Sequence, residues 1–149
     1  MMRGQAGFTL LEMLLSVAII SMLAGASLPV YETFVRRNDL DLTAQGIASM
    51  LRRAETYARA VNYDNDWSVE IQSSEVTMFQ GTNFAGRDTS FDETLSIPAT
   101  VTPSGTGEVR FTKFTAAPNA AAVTTPITLT STANNTRTIT LNAKGMVDY

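Results

Sequence analysis

The chain has 149 residues, a length that suits one compact domain plus an apolar N-terminal segment. It contains no Cys and no His, so it has no disulfide, no thiol nucleophile and no imidazole for general-base catalysis or metal binding. The formal charge is −3, and residues 62–149 carry nine acids and five bases, a balance that opposes binding to phosphate backbones. Composition therefore argues against an enzyme and against a nucleic-acid binder.

The first predicted element is a helix with an apolar run long enough to cross a bilayer. The 19 residues from Met13 to Tyr31 carry no charge, and a membrane span needs about 18 or more. Glu12 lies at the edge of this run. Because a carboxylate near the centre of a membrane helix costs on the order of 2.5–3.5 kcal/mol, a cost without local benefit indicates a partner for the acid.

Two ordinary explanations of this segment stay open. It has the features of a secretory signal peptide, since Arg3 provides a positive start and the small residues 24–26 would direct cleavage before Ser27. It would also serve as a simple membrane anchor for a periplasmic or extracellular domain. Glu12 is unexpected in both cases, because Leu would be better in lipid.

The helical pattern continues beyond the apolar run as an amphipathic stripe. Its apolar positions alternate in steps of four and three, at Leu40, Ala44, Ile47, Leu51, Ala54, Ala58 and Val61. A single helix from Phe8 to Val61 would be about 80 Å long at about 1.5 Å per residue. Pro29 is expected to kink this helix, because its ring removes one backbone hydrogen bond and clashes with the preceding turn.

The stretch GFTLLEMLLSVAIISMLAGASLP resembles the N-terminus of type IV pilins and type II secretion pseudopilins. The shared features are a short leader ending in Gly7, an aromatic Phe8, an acid four residues later at Glu12, an apolar helix and Pro29. The resemblance implies that a prepilin peptidase cuts between Gly7 and Phe8 and methylates the new amino group of Phe8. It also implies that Glu12 pairs with this amine on an adjacent subunit, which neutralises both charges as the subunit leaves lipid.

The same resemblance implies a domain order and a location. Residues 1–7 form the leader, residues 8–30 the transmembrane and fibre-core helix, residues 31–61 the amphipathic stem and residues 62–149 a periplasmic or extracellular β domain. The chain is then a single-pass protein of the bacterial inner membrane that later enters a pilus or pseudopilus fibre. Its expected partners are the prepilin peptidase, other pilin or pseudopilin subunits, the inner-membrane assembly platform and membrane lipid. Neither a cofactor nor a metal is expected.

Alternation with a period of two follows the helix and predicts antiparallel strands, so the predicted fold class is α+β. The first two strands, at 67–71 and 76–79, form a hairpin through a turn at 72–74. Further strands are predicted at 94–97, 109–114, 127–130 and 138–142, with a short terminal strand after Gly145. Residues 81–93 and 115–125 are expected to be surface loops, because turn signals and small polar residues dominate them.

The C-terminal half resembles the minor-pseudopilin group called GspH/FimT, through the stretches IASMLRRAETYARAVNYD and NNTRTITLNAKGMVDY. Some members of that group bind DNA through an Arg-bearing strand after the terminal Gly. Here residues 146–149 follow Gly145 without an Arg, and Lys144 is the nearby cation. The predicted function is a structural fibre subunit, with DNA uptake and a soluble secreted domain as the alternatives.

No catalytic or metal-binding residue is predicted. The sequence offers no suitable pair of carboxylates, no Ser-Lys dyad and no Gly-rich phosphate loop after a strand. Asp64 and Asp66 flank a polar turn, but calcium needs more oxygen donors than this turn supplies. Six aromatic residues of the β domain are expected mostly to pack in its core, namely Trp67, Phe79, Phe84, Phe91, Phe111 and Phe114.

Overall fold

The computed structural model describes the backbone of residues 7–149 and their side chains, except those of residues 26–30, 32 and 33. Its helices span Leu10–Arg59 (α1) and Ala120–Thr124 (α2). Its strands span Trp67–Ile71 (β1), Glu75–Gln80 (β2), Glu93–Ser96 (β3), Val101–Gly105 (β4), Glu108–Phe111 (β5), Ile127–Ser131 (β6), Thr136–Leu141 (β7) and Val147–Asp148 (β8). Short 3-10 turns lie at Asn62–Asp64 and Thr89–Phe91. The predicted α+β class, a long N-terminal helix followed by antiparallel strands, is confirmed.

The chain divides within α1 into two units, Met1–Val35 and Arg36–Tyr149. The second unit contains the eight strands together with the C-terminal half of α1. Residues 36–59 of the helix therefore belong to the same compact unit as the β strands, because their apolar stripe is part of that unit's core.

The buried face of α1 follows the predicted stripe. Six of its seven positions are almost completely buried, namely Leu40, Ala44, Ile47, Leu51, Ala54 and Ala58. Val61 is the exception, because the helix ends at Arg59 and Val61 adopts a left-handed backbone with φ 54°. The Ala58 carbonyl accepts the N–H groups of both Val61 (3.2 Å) and Phe114 (3.1 Å). These bonds satisfy a carbonyl that the end of the helix would otherwise leave free.

The strands form two antiparallel sheets of four strands each. The first has the order β3-β2-β1-β5 and the second β4-β6-β7-β8. The predicted hairpin is confirmed, since Trp67 pairs with Gln80 and Ile71 with Val76 across β1 and β2. Its turn closes through the Gln72 N–H, which donates to the Glu75 carbonyl over 2.9 Å.

Strand β4 was not predicted from the sequence. Its segment Val101–Gly105 contains Pro103, which cannot donate to a strand ladder, and ends in a glycine, so both residues lower its strand propensity. The segment nevertheless pairs with β6 throughout its length, at the edge of the second sheet. An edge strand tolerates Pro because one side of its backbone has no partner strand.

The expectations for residues 109–125 are wrong in two respects. Strand β5 ends at Phe111, and Phe114 has φ 70° and a side chain that is 65% exposed, so Phe114 is not a core residue. The region 115–125 is not a surface loop with little to bury, because it contains α2 and buries Ala116 and Ala122 completely. Methyl side chains contribute little to a hydropathy pattern but fill small spaces in a close-packed core.

Two carboxylates face each other directly on the first sheet. Glu70 on β1 pairs in register with Glu108 on β5. Burial raises the pKa of Glu70, and the charge of Glu108 raises it further. Like charges directly opposite each other in a sheet are destabilising. This pair therefore makes the second unit less stable when both groups are ionised.

Glu70→Gln is expected to stabilise the protein at neutral pH by about 0.2–1 kcal/mol, because it removes one charge of this pair. A raised folded-state pKa means that the folded form binds the proton more tightly, so the unfavourable contribution of Glu70 to stability shrinks as the pH falls from neutral towards about 4. The advantage of the variant should shrink over the same range. The measurement is urea unfolding of the wild type and of Glu70→Gln at several pH values between neutral and about 4. The control is Glu75→Gln on β2, which lies opposite Ser96; an equal gain in both variants would contradict the pairing argument.

Candidate functional site

The residues predicted to be processed lie immediately before α1. Gly7, Phe8 and Thr9 are outside the helix, which begins at Leu10. Among the described residues other than its chain neighbours, no atom lies within 4 Å of a Cβ placed on Gly7, and the Phe8 side chain is 79% exposed. The peptide bond between Gly7 and Phe8 therefore lies outside the helix, beside an exposed side chain, where a protease can reach it. The leader residues 1–6, including Arg3, lie outside the described part of the chain.

Thr9 and Glu12 together cap the start of α1. The Glu12 N–H donates to the Thr9 hydroxyl (3.2 Å) and to the Thr9 carbonyl (3.1 Å). A Thr at the N-cap followed by Glu three residues later is the spacing of a capping box. The spacing is visible in the sequence, but it involves polar residues, so the pattern of apolar residues does not reveal it.

Its position in the first turn gives Glu12 a stabilising role within α1 itself. A carboxylate in the first turn of a helix interacts favourably with the helix dipole, by about 0.3–1 kcal/mol. Glu12 therefore has a local benefit, contrary to the expectation from the sequence. This benefit is smaller than the roughly 2.5–3.5 kcal/mol that a charge costs at the centre of a membrane helix. Glu12 lies in the first turn of α1 and not at its centre, so its pairing with a neighbouring subunit stays a prediction.

Between residues 13 and 25, α1 presents apolar side chains around its circumference. More than half of the surface is exposed at Met13, Leu14, Leu15, Val17, Ile19, Ile20, Met22 and Leu23. The two hydroxyls in this stretch bond within the helix: Ser16 donates to the Glu12 carbonyl (2.8 Å) and Ser21 to the Val17 carbonyl (2.7 Å). A helix that is apolar on all sides, with its hydroxyls satisfied internally, suits an environment without water.

Within the described residues, no helix combines the length and the hydropathy needed to cross a membrane. The side chain of Pro29 lies outside those described, so the kink at this residue stays a prediction.

Three cations of the second unit face carboxylates of the same unit. Arg137 Nε lies 2.7 Å from Asp41 Oδ1, and Lys113 Nζ lies 3.1 Å from Asp64 Oδ1. Arg110 Nε lies 4.0 Å from an oxygen of Asp66. The ion pairs place Arg110 and Lys113 beside the turn that follows α1, and Arg137 beside Asp41 on α1. These cations are therefore partly neutralised before any phosphate approaches them.

Asp64 and Asp66, which were considered for calcium, are engaged by β5 and the turn that follows it. The Lys113 ammonium binds Asp64, and the Lys113 N–H donates to Asp66 Oδ1 over 2.9 Å. In the part of the chain that the structure describes, no group of three or more acidic side chains is placed to hold a metal ion.

The C-terminal strand is held against α1 by Arg52. The Arg52 guanidinium donates to the Val147 carbonyl (3.2 Å) and lies 5.3 Å from the centre of the Tyr149 ring. Gly145 precedes this strand with φ 87°, and a Cβ there would lie 2.8 Å from the Ala116 carbonyl oxygen. The glycine at this position is therefore required by the fold, because a side chain would clash with the backbone of the neighbouring loop.

These observations define an architecture, and the N-terminus of the chain matches a known motif. A long N-terminal helix on a small antiparallel β domain is a pilin-like arrangement. Residues 2–28 match the family model described as the Prokaryotic N-terminal methylation motif. The chain therefore carries a prepilin-type methylation motif, which is consistent with the type IV pilin and pseudopilin family. No solved structure matches the chain.

Proposed function

We propose that this protein is a minor, non-catalytic subunit of a type II secretion pseudopilus or a type IV pilus. The observation that carries the proposal is the methylation motif at residues 2–28. We place its cleavage point between Gly7 and Phe8, which lie directly before α1. Prepilin peptidase removes the leader and methylates Phe8, and the apolar helix then packs with other subunits. The resemblance to the GspH/FimT group supports the assignment as a minor subunit.

The path into the fibre begins in the inner membrane. The 19 uncharged residues from Met13 to Tyr31 support insertion as a single helix, with the β domain on the periplasmic or extracellular side. The assembly platform then moves the subunit from lipid into the fibre. Both environments are apolar, so the exposed side chains of α1 lose no favourable contact in the transfer.

The test is recovery of the full chain in fibres sheared from cells that contain the complete assembly machinery. We expect a small fibre-bound fraction whose first residue is methylated Phe8. Release into the medium of a soluble chain beginning at Ser27 would contradict the proposal and favour cleavage by signal peptidase.

DNA binding is the other alternative, and a gel shift with duplex DNA at physiological salt distinguishes it. We expect no binding by the full chain in detergent, since Arg137 and Lys113 are paired with acids and counterion release needs several free cations in one patch. A shift that weakens steeply with salt would favour a role in DNA uptake.

A further inference from the structure

A cleft of about 420 Å³ lies at the end of α1, outside the residues that the proposed function uses. Four aromatic side chains from separate parts of the chain line it. Tyr57 comes from α1, Tyr63 from the turn that follows, Trp67 from β1 and Phe91 from the turn before β3. Binding sites for small ligands have volumes of roughly 300–1,000 Å³ and walls rich in aromatic residues.

The rings form a connected wall. Tyr57 meets Trp67 edge to face with centroids 4.9 Å apart, and Tyr63 lies tilted against Phe91 at 4.7 Å. Tyr63 and Trp67 are 6.5 Å apart. Trp67 is buried, whereas the Tyr63 side chain is 68% exposed. A large, exposed aromatic ring beside a cleft is available to stack on a ligand.

The backbone that carries Tyr63 is strained. Val61, Tyr63 and Asp64 all have positive φ, at 54°, 59° and 53°, which is unfavourable for β-branched and bulky residues. The turn is held by the Trp67 indole, which donates to the Asn62 carbonyl over 3.2 Å. Strained backbone of this kind persists where the surroundings enforce it, and it is concentrated at ligand-binding sites.

The charged groups of the cleft are already paired with each other. Arg53 forms an ion pair with Glu93, and both side chains are more than 40% exposed at the rim. Asp92 accepts from Arg87 Nε through Oδ2 over 2.8 Å. Since each charge has a partner, the cleft favours a neutral ligand. A cationic ligand is disfavoured further by Arg53, whose guanidinium lies 5.9 Å from the centre of the Tyr57 ring.

The second carboxylate oxygen of Asp92, Oδ1, beside the cleft, is buried without a hydrogen-bond partner among the described residues. Buried polar atoms are normally satisfied, so this acceptor is an exception. Because this oxygen has almost no accessible surface, a ligand in the cleft does not reach it, and the polar groups open to a ligand are those of the Arg53–Glu93 pair.

We propose that this cleft binds a neutral pyranose ring of a polysaccharide. The ring's flat C–H face stacks on the aromatic wall at Tyr63 and Phe91, and its hydroxyls bond to the planar guanidinium and carboxylate of the Arg53–Glu93 pair. Sugar rings combine an apolar face with a rim of hydroxyls, which matches aromatic walls surrounded by paired polar groups. The proposal is independent of fibre assembly, because the cleft lies entirely within the second unit.

The chain's single Trp is a built-in reporter of this cleft. The experiment titrates the full chain, held in a detergent without a sugar headgroup, with cellotetraose, maltotetraose and the tetrasaccharide of N-acetylglucosamine, while Trp67 fluorescence is followed. We expect a saturable change with at least one of the three at concentrations up to about 10 mM. Tyr63→Ala and Phe91→Ala should each weaken binding by about tenfold, because each removes a stacking surface.

Phe114→Ala is the matched control, since Phe114 is an exposed aromatic residue that does not line the cleft. It should bind the sugar as the wild type does. Thermal unfolding of each variant separates loss of binding from loss of fold, and Tyr63→Ala is expected to stay folded because its side chain is mostly in solvent. The proposal is overturned if none of the three sugars gives a saturable signal, or if a lysine-rich peptide gives the signal and the sugars do not.

Discussion

Replacing Gly7 with Val is expected to lower cleavage of the leader by about a hundredfold or more, since small displacements of a scissile bond have effects of that size. Gly allows the backbone at the scissile bond to approach the peptidase closely, and the branched side chain of Val would block that approach. The substitution should leave the fold unchanged, because no atom of the described residues other than its chain neighbours lies within 4 Å of a Cβ at Gly7. Mass spectrometry of the membrane fraction would detect the uncut chain beside wild-type chains that begin at methylated Phe8.

Gly25→Val is the matched control for this experiment. Among the described residues, leaving aside the backbone of its own helix, no atom lies within 4 Å of a Cβ at Gly25 either, but Gly25 lies inside α1, away from the proposed cleavage point. The Gly25 variant should be processed normally after Gly7. If the leader were removed equally well from both variants, or if the mature chain began at Ser27, cleavage after Gly7 would be disproved.

Replacing Glu12 with Leu is expected to leave membrane insertion and cleavage intact but to lower incorporation into fibres by at least about tenfold. The Leu side chain removes a polar cost from the helix. It also leaves the methylated amine of a neighbouring Phe8 without its acid inside an apolar fibre core, and removing one partner of a buried ion pair costs roughly 3–5 kcal/mol. The variant's membrane content, its cleavage and its recovery in sheared fibres should be measured side by side.

Two further variants separate pairing from helix capping. Glu12→Gln keeps a residue suited to the capping box but removes the charge, so the pairing hypothesis predicts the same assembly defect as Leu. Thr9→Ala removes the hydroxyl that accepts the Glu12 N–H but keeps the acid, so assembly should persist despite a cap loss of about 1 kcal/mol. If the Gln variant assembles normally while the Thr9 variant fails, Glu12 acts through the helix cap and the pairing hypothesis is wrong.

Local patterns in the sequence were sufficient to predict the long helix and the first hairpin. The stripe from Leu40 to Ala58 has the helical period, so its burial follows from the spacing of its apolar residues. In the hairpin, β1 alternates apolar and polar residues and is joined to the mostly apolar run 76–79 of β2 by a short polar turn, which sets the register. The methylation motif at residues 2–28 was also recognisable, because its features lie at fixed short spacings.

Other features of the fold depend on contacts between residues far apart in the chain, and only the tertiary structure revealed them. Strand β4 contains Pro103 and lacks a local strand signal, so its pairing with β6 determines its conformation. Ala116 and Ala122 are buried because the surrounding core leaves space for methyl groups only. The aromatic cleft brings together Tyr57 and Phe91, and no periodicity links residues at that separation. Such contacts depend on how the helices and strands pack against each other. The sequence by itself determined the elements whose apolar residues recur at a regular period, and the motif at the N-terminus.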